Sequence, residues 1–121
     1  MSKKDVHWFP LQRDGKGRLT IKLFDGRVGD RDEVRFVTIW AGVEQNGDVI
    51  IEGFDNGEYG EQSCGIEGIE GAMVMPAAEK DRLILFLLRE LFAGNLAAAP
   101  IFKDFANANG LECIRRSTCD R

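Results

Sequence analysis

The chain has 121 residues, of which 44% are hydrophobic and 30% are charged, a composition typical of one soluble globular domain over residues 1–121. It has no uncharged apolar run of about 18 residues and no signal-like stretch near its N-terminus, so we expect a cytoplasmic protein without a membrane helix. The net charge of −4 argues against a general nucleic-acid binder.

The first third of the chain has the patterns of β-strands. Residues 5–12 contain Pro10, which favours an edge strand or an extended arm. Residues 18–25 alternate between apolar and polar side chains, which predicts a half-buried strand with Leu23 on the same face as the two apolar residues before it. The two glycines and mixed charges of residues 26–33 predict a polar loop.

The middle of the chain contains the clearest hairpin. Residues 34–44 are rich in β-branched and aromatic side chains, which favour a strand near the centre of a sheet. The dipeptide Asn46-Gly47 is the strongest short hairpin signal, and residues 49–54 form the predicted return strand. Residues 71–75 predict a further short strand.

Two helices are predicted after these strands. Residues 76–94 place most apolar side chains on one arc of a helix and most charged ones on the other. Phe86 lies outside the apolar arc, so either a neighbouring element covers it or it belongs to a partner surface. Asn95 is the expected cap of the second helix, with Pro100 in its first turn and Gly110 at its end.

Residues 111–118 alternate weakly and predict a last edge strand. A run of strands followed by helices is typical of an α+β fold. We therefore expect a mostly antiparallel sheet of about five or six strands with two C-terminal helices packed on one face.

The acidic residues are concentrated in the middle of the chain. Residues 37–80 carry one lysine and nine acidic residues, a net charge of −8. Part of this charge lies in a glycine-rich stretch, residues 55–71, which lacks the lysine and hydroxyl residue of a phosphate-binding loop. A solvated loop, a weak Ca²⁺ site and a contact surface for a basic partner all remain open. The candidate partner-binding residues are Glu58, Tyr59, Glu61, Glu67, Glu70 and Phe86.

The sequence has little that indicates catalysis. His7 is the single histidine, and glutamates near Cys64 would raise the pKa of its thiol and weaken it as a nucleophile. Cys113 and Cys119 do not have the spacing of a zinc or redox motif, so we expect reduced structural thiols. No metalloprotease, hydrolase or nucleotide-binding signature is present. We therefore expect no enzyme activity, no bound metal and no cofactor.

One order of features resembles that of known proteins. A strand over residues 48–55 precedes an acidic loop, then a leucine-rich helix begins near Arg82-Leu83, and residues 102–110 follow. This order resembles small uncharacterised bacterial α+β proteins of unknown function. The resemblance covers about half of the chain and implies no activity.

These observations favour a non-enzymatic, acidic protein-binding module. Such a protein could be an inhibitor or an immunity protein that neutralises a basic toxin or defence protein, with its glutamates facing the partner's cations. Phe86 or Tyr59 would supply an apolar anchor. The alternatives are a structural homo-oligomer, such as a homodimer with Leu85 and Phe86 at its seam, and a small metal-dependent protein.

Overall fold

The computed structural model describes residues 9–29, 35–56 and 71–116, and these form an α+β layout with a five-stranded antiparallel sheet and two C-terminal helices. The predicted α+β class, with an antiparallel sheet of about five strands followed by two helices, is therefore confirmed. The elements are β1 (Leu11–Arg13), β2 (Leu19–Val28), β3 (Arg35–Val43), β4 (Val49–Asn56), β5 (Gly71–Met75), a 3₁₀ helix (Ala77–Glu79), α1 (Lys80–Phe92) and α2 (Ala98–Ala108).

The sheet is a simple meander in which each strand pairs antiparallel with the next, in the order β1-β2-β3-β4-β5. The predicted hairpin at Asn46-Gly47 is confirmed as the β3–β4 connection. Its turn closes where the Gly47 N–H donates to the Glu44 carbonyl at 2.8 Å. Gly47 adopts a φ of +95°, which is the left-handed backbone that such a turn requires and that glycine tolerates best.

Strand β2 differs from its predicted form in two ways. It continues to Val28, so the first residues of the predicted polar loop are paired with β3 rather than free. In addition, the register shifts between Lys22 and Phe24, so that Ile21 lies opposite Ala41 while Phe24 lies opposite Ile39. A bulge of this kind resets the alternation of side chains, and Phe24 takes the face that the sequence pattern assigned to Leu23.

The buried part of the sheet is small and lies at its centre. Val37 is 1% exposed and Ile50 is 6% exposed. Thr20, Gly42 and Ile50 form one cross-strand row, in which a Cβ at Gly42 would lie 3.2 Å from the Thr20 side chain and 3.4 Å from that of Ile50. The missing side chain at Gly42 therefore lets its two neighbours pack over the middle strand.

The first helical segment is joined to the β3–β4 turn by a hydrogen bond. A short 3₁₀ helix follows Pro76, and the Ala77 N–H donates to Asp48 Oδ1 at 2.8 Å. Asp48 thus supplies the acceptor that a helix start needs, in place of a capping side chain at Pro76. The helix then runs as α1 to Phe92, close to the predicted bounds, but none of its residues is buried.

The second helix and the residues after it correct two predictions. Helix α2 begins at Ala98 and has no side-chain cap. The predicted cap, Asn95, lies in the preceding turn, where its Oδ1 accepts the Ala97 N–H at 2.9 Å. Residues 111–116 contain no strand. The Leu111 N–H instead donates to the Ala106 carbonyl at 2.8 Å, and Gly110 has a φ of +71°, a glycine-terminated helix end.

The chain divides into two compact units, Met1–Asp81 and Arg82–Arg121, with the boundary in the first turn of α1. The first unit contains the sheet. Within the second unit, the rings of Phe92 and Phe102 join α1 to α2 by an edge-to-face contact, with their centroids 6.4 Å apart.

Candidate partner-binding surface

Of the six residues predicted to contact a partner, Phe86 belongs to the described part of the chain. Glu58, Tyr59, Glu61, Glu67 and Glu70 lie outside it. Their grouping into one acidic surface therefore stays a prediction.

Phe86 lies on α1 and is 46% exposed. Two arginines on the same helix flank its ring: the guanidinium carbon of Arg89 is 4.8 Å from the ring centroid and that of Arg82 is 6.0 Å away. The three residues are spaced at i, i+4 and i+7, which brings them together on one side of a helix. Cation–π contacts of this kind hold the ring between two guanidinium groups.

A second feature of α1 is a row of exposed aliphatic side chains. Ile84, Leu87 and Leu91 are all exposed and are spaced at i, i+3 and i+7, which places them along one arc of the helix. We call these three residues the α1 stripe. The sequence predicted this apolar arc, but it did not predict that the side chains are exposed. Helices that insert into a groove of another protein present anchors at this spacing.

A cavity of about 640 Å³ lies in the same unit, between the start of α2 and the segment that follows it. Its lining combines apolar side chains with three cationic ones, Lys103, Arg115 and Arg116. The full lining is Ala99, Pro100, Phe102, Lys103, Cys113, Ile114, Arg115 and Arg116. The sequence pattern does not predict this cavity, because it favours a strand over residues 111–118; the adjacent Arg115-Arg116 pair is the signal that points to it.

The best-organised polar contacts in the sheet unit surround Arg18. Its Nε donates to Asp14 Oδ2 at 2.6 Å, and its two terminal nitrogens donate to the Glu52 carboxylate at 3.0 and 3.4 Å. We call Asp14, Arg18 and Glu52 the Arg18 cluster. A small cavity of about 180 Å³ lies beside it, lined in part by Trp40 and Phe54.

The ionisation of the Arg18 cluster suits a structural role. The hydrogen bond from the Arg18 side chain lowers the pKa of the Asp14 carboxyl below its usual 3.8. The hydrogen bonds to Glu52 and Asp14 raise the already high pKa of Arg18 further. Both groups therefore stay charged near neutral pH, whereas a general acid or base must change its charge during a reaction.

Next to this cluster, Lys22 lies over two aromatic rings, with its Nζ 5.0 Å from the Trp40 centroid and 5.2 Å from that of Phe9. Lys22 also pairs with Asp25 at 2.9 Å. These contacts hold the lysine chain against the sheet and cover aromatic surface.

Cys113 is a free thiol of intermediate exposure. The ranges 9–29, 35–56 and 71–116 contain no group of three or more His, Cys, Asp and Glu side chains placed to hold a metal ion. Within the same ranges, no helix has the length and apolar character needed to cross a membrane.

Comparison with family models, curated proteins and solved structures gave no match to this chain.

Proposed function

We propose that this protein is a non-enzymatic protein-binding module that presents α1 to a groove on its partner. The observation that carries the proposal is the exposure of Ile84, Leu87 and Leu91 along one arc of α1. Three large aliphatic side chains at this spacing can bury together in a single apolar groove. Full burial of such a side chain contributes roughly 1.5–3 kcal/mol, and these three side chains, which are 46% to 66% exposed, would each contribute about half of that.

The charges support an inhibitor or immunity protein whose partner carries both signs of charge. The net charge of −8 over residues 37–80 would attract a basic surface and speed its encounter. Arg89 beside Phe86 would face an acidic part of the same partner. On this proposal the α1 stripe supplies most of the affinity, and the charges supply orientation and rate.

The homodimer with Leu85 and Phe86 at its seam is the less favoured alternative. Both side chains are exposed. However, a two-fold axis at Phe86 would bring Arg89 of both copies to one seam, because symmetric interfaces place the same residues on both sides. Like charges that meet at a seam oppose association.

The test is affinity capture from a host lysate at low and high salt, followed by measurement of binding to the purified partner. The apolar variant is Leu87→Ala with Leu91→Ala, and the matched control on the same helix is Glu90→Ala. Truncating two anchors of an interface should weaken binding by roughly tenfold or more, while the control should bind like the wild type. An unchanged affinity in the double variant would refute the groove-binding proposal.

A second variant tests the acidic residues separately. Reversing the charge of Glu58 and Glu61 to lysine should slow association and flatten its salt dependence, because steering by charge is screened by salt. If the affinity falls in the Glu58 and Glu61 variant but not in the α1 stripe variant, the acidic residues form the contact and α1 does not.

A further inference from the structure

Strand β5 is the last strand of the sheet and pairs with β4 on one side. All five of its residues are exposed, and its sequence from Gly71 to Met75 contains neither a charged residue nor a proline. Met73 at its centre is 80% exposed. An uncharged apolar edge strand offers a row of backbone N–H and C=O groups to a further strand.

The opposite edge of the sheet differs from β5 in its length and its charge. Strand β1 has three residues and ends in Arg13, whereas β5 has five residues and no charged one. A proline flanks each strand, Pro10 before β1 and Pro76 after β5, so proline does not distinguish the two edges. Short length and a charged side chain are two of the usual means by which a sheet edge avoids pairing with another chain. Among the strands of the described ranges, this contrast favours β5 over β1 as the edge that pairs.

We propose that β5 pairs antiparallel with β5 of a second copy of this chain, about a two-fold axis that passes through Met73. In this register Met73 lies opposite its own copy, Ala72 opposite Val74, and Gly71 opposite Met75. A two-fold axis brings the same residues of both copies together, so a strand can pair with its own copy only when no like charges meet at the axis. The five uncharged residues of β5 meet that condition, whereas Arg89 beside Phe86 would meet its own copy.

The side chains beside β5 favour the same arrangement. The strand register places Met73 next to Ile51, which is 48% exposed, and Ile51 next to Ala41 and then Ile21. This apolar row ends at the sheet edge. Pairing through Met73 would continue it into the identical row of the second copy and bring the two Met73 side chains into cross-strand contact.

The interface would be small. Stable protein interfaces usually bury about 800 Å² on each partner, which is more than a five-residue strand edge provides by itself. We therefore expect a reversible dimer with a dissociation constant in the micromolar range or weaker. This dimer uses β5 and not the α1 stripe, so it goes beyond the proposed binding function and does not depend on it.

The test is sedimentation equilibrium from micromolar to millimolar protein, with Met73→Lys as the variant and Leu11→Lys as the matched control. Both side chains are exposed, and they lie in strands at opposite edges of the sheet. Circular dichroism checks that each variant keeps its fold. The wild type and the control should shift from monomer towards dimer as concentration rises. In Met73→Lys two like charges would meet at the axis, so the dissociation constant should rise by about tenfold or more.

A cross-linking experiment tests the position of the axis. In a background with Cys64, Cys113 and Cys119 changed to serine, Met73→Cys should form an intermolecular disulfide under mild oxidation, because facing Cβ atoms in antiparallel pairs can approach to about 4.5 Å, the upper end of the disulfide range. Leu11→Cys should not. A wild type that stays monomeric at every concentration would overturn the proposal. So would dimerisation that is unaffected by Met73→Lys, or equal cross-linking at both cysteines.

Discussion

Replacing Arg18 with methionine tests whether the Arg18 cluster stabilises the sheet. The substitution keeps the length of the side chain but removes its charge and its donors. It leaves the carboxylates of Asp14 and Glu52 without the partner that they contact at 2.6 and 3.0 Å. Because Arg18 precedes β2 and Glu52 lies on β4, the contact spans the width of three strands.

The expected cost lies between two measured limits. Exposed ion pairs contribute about 0.2–1 kcal/mol, and breaking a fully buried pair costs about 3–5 kcal/mol. The Arg18 and Glu52 side chains are 18% and 19% exposed, so they are partly screened by water. We expect Arg18→Met to lower the free energy of unfolding by about 2 kcal/mol, which corresponds to roughly 8 °C in Tm for a chain of this size.

Urea denaturation followed by circular dichroism measures this cost, and a double-mutant cycle with Glu52→Gln isolates the contact. We expect a coupling energy of about 1 kcal/mol between positions 18 and 52. Lys16→Met is the control, because this exposed lysine side chain can be replaced with a change of less than about 0.5 kcal/mol. If Arg18→Met costs no more than the control, or if the two changes are simply additive, the cluster does not stabilise the sheet.

Three further predictions concern the same unit. Ionised Asp14 stabilises the fold above its usual pKa of 3.8, and this contribution to the free energy of unfolding is lost as pH falls through the lower pKa of the folded state. The urea midpoint of Asp14→Asn should therefore fall less steeply below about pH 4 than that of the wild type. Gly47→Ala should lower the free energy of unfolding by about 1–2 kcal/mol, because φ is +95° and the new Cβ would lie 3.1 Å from a neighbouring side-chain carbon. Gly15→Ala, with nothing within 4 Å and no positive φ, should be nearly neutral in the same urea assay. Val37→Ala should lower the free energy of unfolding by about 2 kcal/mol, because Val37 is 1% exposed. Val74, which is 53% exposed, should lose clearly less stability on the same change, and thermal melting of both variants measures the difference.

The sequence predicted those features of the fold that depend on local patterns. The hairpin at Asn46-Gly47 depends on a left-handed turn residue, and the fold class follows from strands that precede helices. The bulge between Lys22 and Phe24 could not be predicted, because it depends on how β2 pairs with β3 and the sequence pattern of one strand does not show which residue is left out of the pairing. The strand predicted after Gly110 was wrong for a different reason: the Leu111 N–H donates to the Ala106 carbonyl at the end of α2.

The candidate binding surface was less predictable than the fold. Periodicity correctly placed Phe86 outside the apolar arc of α1, but it could not show that Arg82 and Arg89 flank its ring. Periodicity also identifies a helix face without saying what covers it. The exposure of the α1 stripe and of β5 is a property of packing between elements, which single-sequence patterns do not contain.

Salt separates the two association reactions that we propose, because they differ in the charges that each brings together. Partner binding steered by the acidic residues 37–80 should weaken as salt shortens the Debye length from about 30 Å at 0.01 M to about 3 Å at 1 M. The β5 dimer joins strands with no charged residue, so its dissociation constant should change little over the same range. Measuring both by sedimentation in one salt series distinguishes them. A dimer that dissociates with added salt would place a charged surface at its seam and contradict pairing through β5.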